Sequence, residues 1–281
     1  LQKVIRKEDL NFTSEAFKNH QKHPTGYETI NEYMERDYVV PKDIEDYLYV
    51  SQLLQARGMK TAIEAHRRAK PYCMGTLYWQ FNDCWPVTSW SSLDYYGNWK
   101  AFHYQAKRSF ENLLFSIEEG NDSYRICIVN DDLKQYSGEL VIDLIDFNGT
   151  KLWNKKIIFI ASENSSKIHF EIPKKDFLAY NLKQAVLSVS FPPLEQIYTR
   201  HYFFKPKDLQ ITKPNIQIKI IDEVTIEISS DVLAKDVFLS SENDTFFEDN
   251  YFDLLPNEKR IIKFSKPVQN IKVKSLFDTM K

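Results

Sequence analysis

Two periodicities divide the chain. Up to about residue 113, apolar positions recur every three or four residues, as on one face of a helix. Tyr27, Ile30 and Met34 form such a stripe within Thr25–Asp37. Pro41 and Asp43 open a longer helix that runs to about Ala69, with Ile44, Tyr47, Leu48, Leu54 and Ile63 predicted as its buried face. Ser14 caps a brief helix, Trp99–Leu113 forms the last one, and Leu1–Glu8 is a short amphipathic piece. From about Leu114, apolar and polar residues alternate, as in half-buried strands. Tyr124–Asn130, Glu139–Phe147, Lys151–Ile160, Lys167–Ile172, Gln184–Phe191 and Ile197–Phe204 predict an immunoglobulin-like sandwich. The polar, proline-flanked stretch Lys205–Pro214 marks a boundary. Beyond it, Ile216–Ile221, Glu223–Ser229, Asp236–Ser240 and Lys259–Phe264 predict a second, smaller sandwich. Phe247–Leu255 carries aromatic residues whose favoured role is packing between domains.

One stretch fits neither pattern. Pro71–Tyr104 holds four of the five tryptophans: Trp79, Trp85, Trp90 and Trp99. Its apolar start, Met74–Phe81, reads as a strand buried on both faces. The run ends abruptly at Asn82-Asp83, and an aromatic loop and a helix follow. Ligands of α/β sheets and barrels sit at the carboxyl ends of the strands. A pyranose offers flat C–H faces to an indole and hydroxyls to short polar side chains. Trp79 and Trp85 supply the surface, and Asn82 and Asp83 the polar edge, of a candidate sugar wall. Plain core filling by the same rings is the competing reading, as is a structural hydrogen bond for Asp83. Asp94, Tyr95 and Trp90 are expected to brace the loop.

The string YWQFNDCWPVTSWSSLDYYGNWKAFHYQAKR resembles the last barrel strand and helix of β-mannosidases, of glycoside hydrolase family 2 and the clan of β-galactosidases and β-glucuronidases. The resemblance is strong over Gly75–Arg108 and looser elsewhere. It implies a multidomain α/β plus all-β chain: residues 1–114 as the last part of a (β/α)8 barrel, 115–206 as an immunoglobulin-like β-sandwich, and 207–281 as a second smaller β-sandwich. It makes Trp79 the platform under the mannose at the cleaved position, with Asn82, Asp83 and Trp85 on the same wall. A comparable H-Q-x-H-P segment follows the family's seventh strand, which places His20 and His23 at the site edge. From the residues alone, these histidines are solvated loop residues with no third metal ligand beside them.

Composition narrows the alternatives. A formal net charge of -2 with 27% charged residues provides no field for nucleic acid or an anionic membrane. No apolar run approaches the ~20 residues of a membrane span. Three cysteines, Cys73, Cys84 and Cys127, leave an odd count, and buried free thiols are expected rather than a disulfide or a zinc site. No metal or other cofactor is called for. The start at Leu1, with neither initiator methionine nor leader, suits a fragment or processed chain. Expected partners are an oligosaccharide with terminal β-mannose and the remainder of the parent protein. The expected location is a bacterial periplasm or the exterior, or the lysosome of a eukaryote. The sequons at Asn11, Asn121, Asn148, Asn164 and Asn243 carry little weight in an asparagine-rich chain.

Retaining glycosidases need two carboxyl groups about 5–5.5 Å apart. The family's two glutamates lie at the ends of the fourth and seventh strands, and their N-E and S-E-[FY]-G surroundings are absent. Asp83 is the one carboxylate in a strand-end setting, so no catalytic residue is assigned to this chain. The leading expectation is a C-terminal portion of an exo-acting retaining β-mannosidase, inactive by itself. A non-catalytic carbohydrate-binding or assembly module, or a related exo-glycosidase for another sugar, are the alternatives.

Overall fold

A computed structural model describes residues 5–194, 196–242, 245–268 and 270–280. The amphipathic piece predicted at the start and the sequon at Asn243 fall partly outside the described residues.

The first part is helical: α1 (Glu15–Asn19), α2 (Gly26–Asp37), α3 (Ile44–Arg68) and α4 (Ala101–Ser109). The ends of α3 follow from its sequence. The Asp43 carboxylate accepts from the amides of Glu45 and Asp46, and His66, Arg67 and Arg68 lie in the last turn, where the helix dipole favours cations. Its buried stripe comprises Tyr47, Val50, Leu53, Ala56 and Ile63, packed against Met34 of α2, Phe102 and Tyr104 of α4, and Tyr251 and Leu276 of the C-terminal part. Ile44, Leu48 and Leu54, predicted on that stripe, are only half-buried. No helix among the described residues is long and apolar enough to cross a membrane.

The strand predicted at Met74–Phe81 is not formed. Residues 74–79 have no regular secondary structure, and among the described residues they make no backbone-to-backbone hydrogen bond. A strand buried in a parallel sheet needs a neighbour on each side, and among the described residues no segment pairs with this one. The apolar side chains meant for a sheet interior therefore face solvent: Leu77 is 100% exposed and Trp79 79%.

The first sandwich pairs a three-stranded sheet with a four-stranded one. Strands β1 (Leu113–Glu119), β2 (Ser123–Asn130) and β5 (Ser165–Pro173) lie in the order β1-β2-β5. Strands β3 (Tyr136–Asp146), β4 (Lys151–Ala161), β6 (Ala185–Ser190) and β7 (Tyr198–Tyr202) lie in the order β4-β3-β6-β7. Every pairing is antiparallel. Alternation along the strands sends Phe115, Ile126, Leu140, Ile142 and Phe159 into one core, which Phe177 closes. Strand β1 begins where the predicted helix was to end. The second sandwich pairs β8 (Ile216–Asp222), β9 (Thr225–Ser230) and β12 (Lys259–Lys263) with β10 (Ala234–Ser240), β11 (Phe252–Leu254) and β13 (Lys272–Lys274), around Ile226, Ile228, Val237 and Leu254.

Charged side chains fasten the three parts together. Arg108 at the end of α4 donates to Asp249 (2.6 Å) and to the carbonyls of Asn250 and Tyr251. Tyr104 donates to the carbonyl of Phe247 (3.0 Å). The segment Phe247–Leu255 thus packs between domains, with Phe247, Tyr251, Phe252 and Leu254 buried. From β7, Arg200 donates to the carbonyl of Asp253 (2.6 Å) and pairs with Glu258, while Tyr202 donates to the Asp253 carboxylate (2.6 Å). Lys235 lies 3.0 Å from Asp236 and 3.6 Å from Asp253, and Tyr49 of α3 donates to the Asp236 carbonyl. Burial alone raises the Asp253 carboxyl, but Lys235 and Arg200 outweigh it and hold it below the usual carboxylate range.

Two predictions follow from this packing. R108A is expected to remove about 2 kcal/mol and to let the second sandwich unfold in a separate urea transition; a single unaltered transition would contradict the role given to Arg108. His201 of β7 packs between the rings of Tyr124 and Phe203, and burial lowers its pKa from 6.5 to about 4 against the opposing pull of Glu119. Lys60, Lys174 and Arg57 push in the same direction as burial. The unfolded chain takes up this proton near pH 6.5 and the folded chain only near 4, so this contribution is intact above pH 6.5 and is lost as pH falls toward 4. H201F keeps the ring packing and removes the titration. Wild type should therefore lose up to about 3 kcal/mol more than H201F between pH 7 and pH 4, measured by urea unfolding, and equal losses would contradict the assignment.

Candidate functional site

The aromatic loop is built around one carboxylate. In the run before it, half-buried and exposed residues alternate from Thr76 to Gln80. Tyr78 turns inward: its ring meets Phe102 edge-on at 4.7 Å and its hydroxyl lies 3.1 Å from Ser92 Oγ. Its neighbours Leu77 and Trp79 must then point outward, and both do. Trp79 borders a cleft of about 2000 Å³ that is also lined by Trp90, Trp99, Tyr33, Gln55 and His23.

Asp83 does not face that cleft. Its side chain is fully buried and accepts from Gln80 Nε2 (3.1 Å), Ser89 Oγ (2.8 and 2.7 Å) and Ser91 Oγ (2.5 Å). Lys22 and Lys100 each stand 3.7 Å away. Lys100 Nζ also donates to Ser91 Oγ (2.7 Å), and burial, partly offset by Asp83, lowers its pKa. With donors on both oxygens and no exposed surface, Asp83 offers nothing to a sugar hydroxyl. The sequence reading that placed it on the sugar wall is corrected accordingly, and the bracing role is the one its geometry supports.

The Asp83–Ser89 contact closes a short loop that carries Trp85. Thr88 anchors the loop to the histidine segment, with Thr88 N donating to His20 O (2.7 Å) and Lys22 N to Thr88 O (3.1 Å). Tyr27 adds a hydroxyl bond to Thr88 Oγ1 (3.0 Å). His20 Nδ1 lies 2.7 Å from Pro86 O. A carbonyl only accepts, so Nδ1 carries the hydrogen and Nε2 is left for another partner. The His20 ring lies 5.9 Å from that of Trp85. His23 Nδ1 instead accepts from the Thr25 amide (3.2 Å), which leaves its hydrogen on Nε2 when neutral.

The predicted residues therefore divide. Trp79 and His23 border the cleft. Trp85, 38% exposed, sits on the clamped loop beside His20 of the histidine segment; both lie outside the cleft lining, as does the exposed Asn82. Trp90 and Trp99, read as bracing or helical residues, do line the cleft. Asp94 organises the turn between them by accepting from the amides of Tyr96 and Asn98 (2.8 Å each) and from Asn98 Nδ2 (2.8 Å). Sequence reasoning missed Ser89, Ser91, Lys22 and Lys100. The signal available was the unmatched carboxylate itself, since a buried Asp requires donors and cations close by. The three thiols are free, but only Cys127 is buried as expected; Cys73 is half-buried and Cys84 exposed. Among the described residues, no three His, Cys, Asp or Glu side chains are grouped to hold a metal.

Comparison with known proteins agrees with this architecture. A family described as a Mannosidase Ig/CBM-like domain matches residues 122–208, and one described as an Ig-fold domain of mannosidases matches residues 211–279. The chain is similar to the β-mannosidase of Mus musculus, 25% identical across 99% of this chain and 35% of the mouse protein. It is also similar to that of Capra hircus, 38% identical across 63% of this chain and 22% of the goat protein. The crystal structure of the β-D-mannosidase from Dictyoglomus thermophilum superposes with a TM-score of 0.88 at 29% identity, over 98% of this chain and 35% of that one. An exo-chitosanase from Amycolatopsis orientalis shares the fold, with a TM-score of 0.68 at 13% identity over 88% of this chain and 37% of that one. The chain spans about a third of the length of the relatives it matches end to end. The chain belongs to the β-mannosidase family, as a portion that carries two mannosidase Ig-like domains.

Proposed function

We propose that the complete parent is an exo-acting retaining β-mannosidase that removes terminal, non-reducing β-D-mannose, and that this chain provides part of its sugar wall and its accessory domains. In this reading, the helices and residues 74–81 are the last part of a (β/α)8 barrel. The neighbouring strands that pair with residues 74–79 belong to the rest of the parent, as do the two catalytic glutamates. Trp79 forms the platform under the mannose ring. Trp85, Asn82 and the histidine segment shape the wall, and Asp83 works behind it. The role of the platform is to hold the pyranose over the nucleophile; bringing the reacting atoms together lowers the barrel's catalytic barrier without any acid or base from this chain.

The observation that carries the reading is the state of residues 74–79. They carry Leu77, Tyr78 and Trp79, make no backbone-to-backbone hydrogen bond among the described residues, and end in an exposed indole. An isolated module has no use for such a segment, whereas a barrel strand requires it.

Hydrolysis of p-nitrophenyl β-D-mannopyranoside tests this. The complete parent should turn it over, the 281-residue chain alone should not, and W79A should lower the parent's kcat/KM at least about tenfold, or ~1.4 kcal/mol of transition-state stabilisation. An inert parent, or a parent that prefers a glucosaminide or galactoside, would contradict the mannosidase reading. Turnover by the chain alone would contradict the placement of the catalytic pair.

A further inference from the structure

We infer that Asp83 is a positioning residue: its carboxylate clamps the aromatic loop so that Trp79 and Trp85 hold a fixed spacing, and it makes no contact with substrate. This rests on the sugar-wall reading above and adds to it the device that keeps the wall in place.

Four segments converge on this one group. Gln80, next to Trp79, donates to Oδ1. Ser89 and Ser91, on the far arm of the loop, donate to both oxygens. Lys22 approaches from the histidine segment and Lys100 from the start of α4. The span between the two arms is short, and it carries Trp85 and the carbonyl that receives His20. Little apolar packing holds this span: of residues 84–88, only Val87 is buried. Its order therefore depends on polar contacts at the neck and on the two backbone bonds at Thr88. A charged acceptor with several donors is the strongest such contact available to a short loop. The two flanking cations compensate the burial of its charge, which a neutral side chain would leave facing two lysines.

The direct-ligand alternative makes a different demand. A carboxylate that bonds a sugar hydroxyl must present an accessible oxygen, and Asp83 presents none. Its replacement should therefore weaken all sugar contacts together rather than one.

The test uses the complete parent, with D83N and S89A compared to wild type. Two readouts are needed: kcat/KM on p-nitrophenyl β-D-mannopyranoside and on the monodeoxy forms of its sugar, and amide hydrogen exchange of residues 84–92. Both variants are expected to lose about 10- to 100-fold in kcat/KM, by the same factor on every deoxy sugar, with faster exchange in the loop at a temperature where the rest of the protein is folded. S89A removes only a neck donor and carries the test if D83N fails to fold. A loss confined to a single hydroxyl would overturn the proposal in favour of a direct ligand. Faster exchange with kcat/KM unchanged would reduce Asp83 to a structural role and also overturn it, as would exchange identical to wild type. Should wild type itself be inert on the mannoside, the sugar-wall reading fails separately, and loop exchange alone decides whether the clamp exists.

Discussion

A carboxylate removed from water must find donors and cations, and the order of the aromatic loop depends on how Asp83 meets that demand. Gln80, Ser89 and Ser91 supply hydrogen bonds, and Lys22 and Lys100 supply charge. These groups come from the end of the run at Gln80, the far arm of the loop, the histidine segment and the residue just before α4. Satisfying one charge therefore brings four pieces of chain together. Trp79 and Trp85 are left facing outward because the polar centre occupies the inside. The exposed indoles and the buried acid are two sides of the same arrangement.

The remainder of the chain acts as a support. Aromatic contacts of Tyr49 with Phe238 and Tyr251 and the Arg108–Asp249 pair tie the helices to the second sandwich, Arg67–Asp131 ties α3 to the first, and Arg200–Glu258 joins the two sandwiches. Charges at such depth are stabilising only as complete sets, so these contacts hold the parts in one relative arrangement. The loop inherits that rigidity through α4, whose start carries Lys100 and whose end carries Arg108. Residues 74–79 are the exception: among the described residues their backbone pairs with no other backbone group, unlike the strands of the sandwiches.

Local pattern made much of the fold readable. Helices α2 and α3 and strands β2 to β9 follow from periodicities of 3.6 and 2, because each buries one face against a partner within the chain. The predicted strand at Met74–Phe81 failed for the opposite reason: its period is that of a buried strand, but burial requires neighbours, and periodicity does not report whether they are present. Short strands β11 and β13 are set by register against β10 rather than by their own composition. At the site, the cluster of indoles and the Asn-Asp pair was legible. The direction of Asp83 was not, because Ser89, Ser91 and the lysines on either side are ordinary residues until folding converges them.

The most direct measurement is a crystal structure of the complete parent bound to a mannose-configured glycosidase inhibitor. The account predicts the Trp79 indole flat against the sugar ring, residues 74–79 paired as a barrel strand, and Asp83 still bonded to Ser89 and Ser91 without touching the inhibitor. A sugar bound away from Trp79, or held by the Asp83 carboxylate itself, would contradict it.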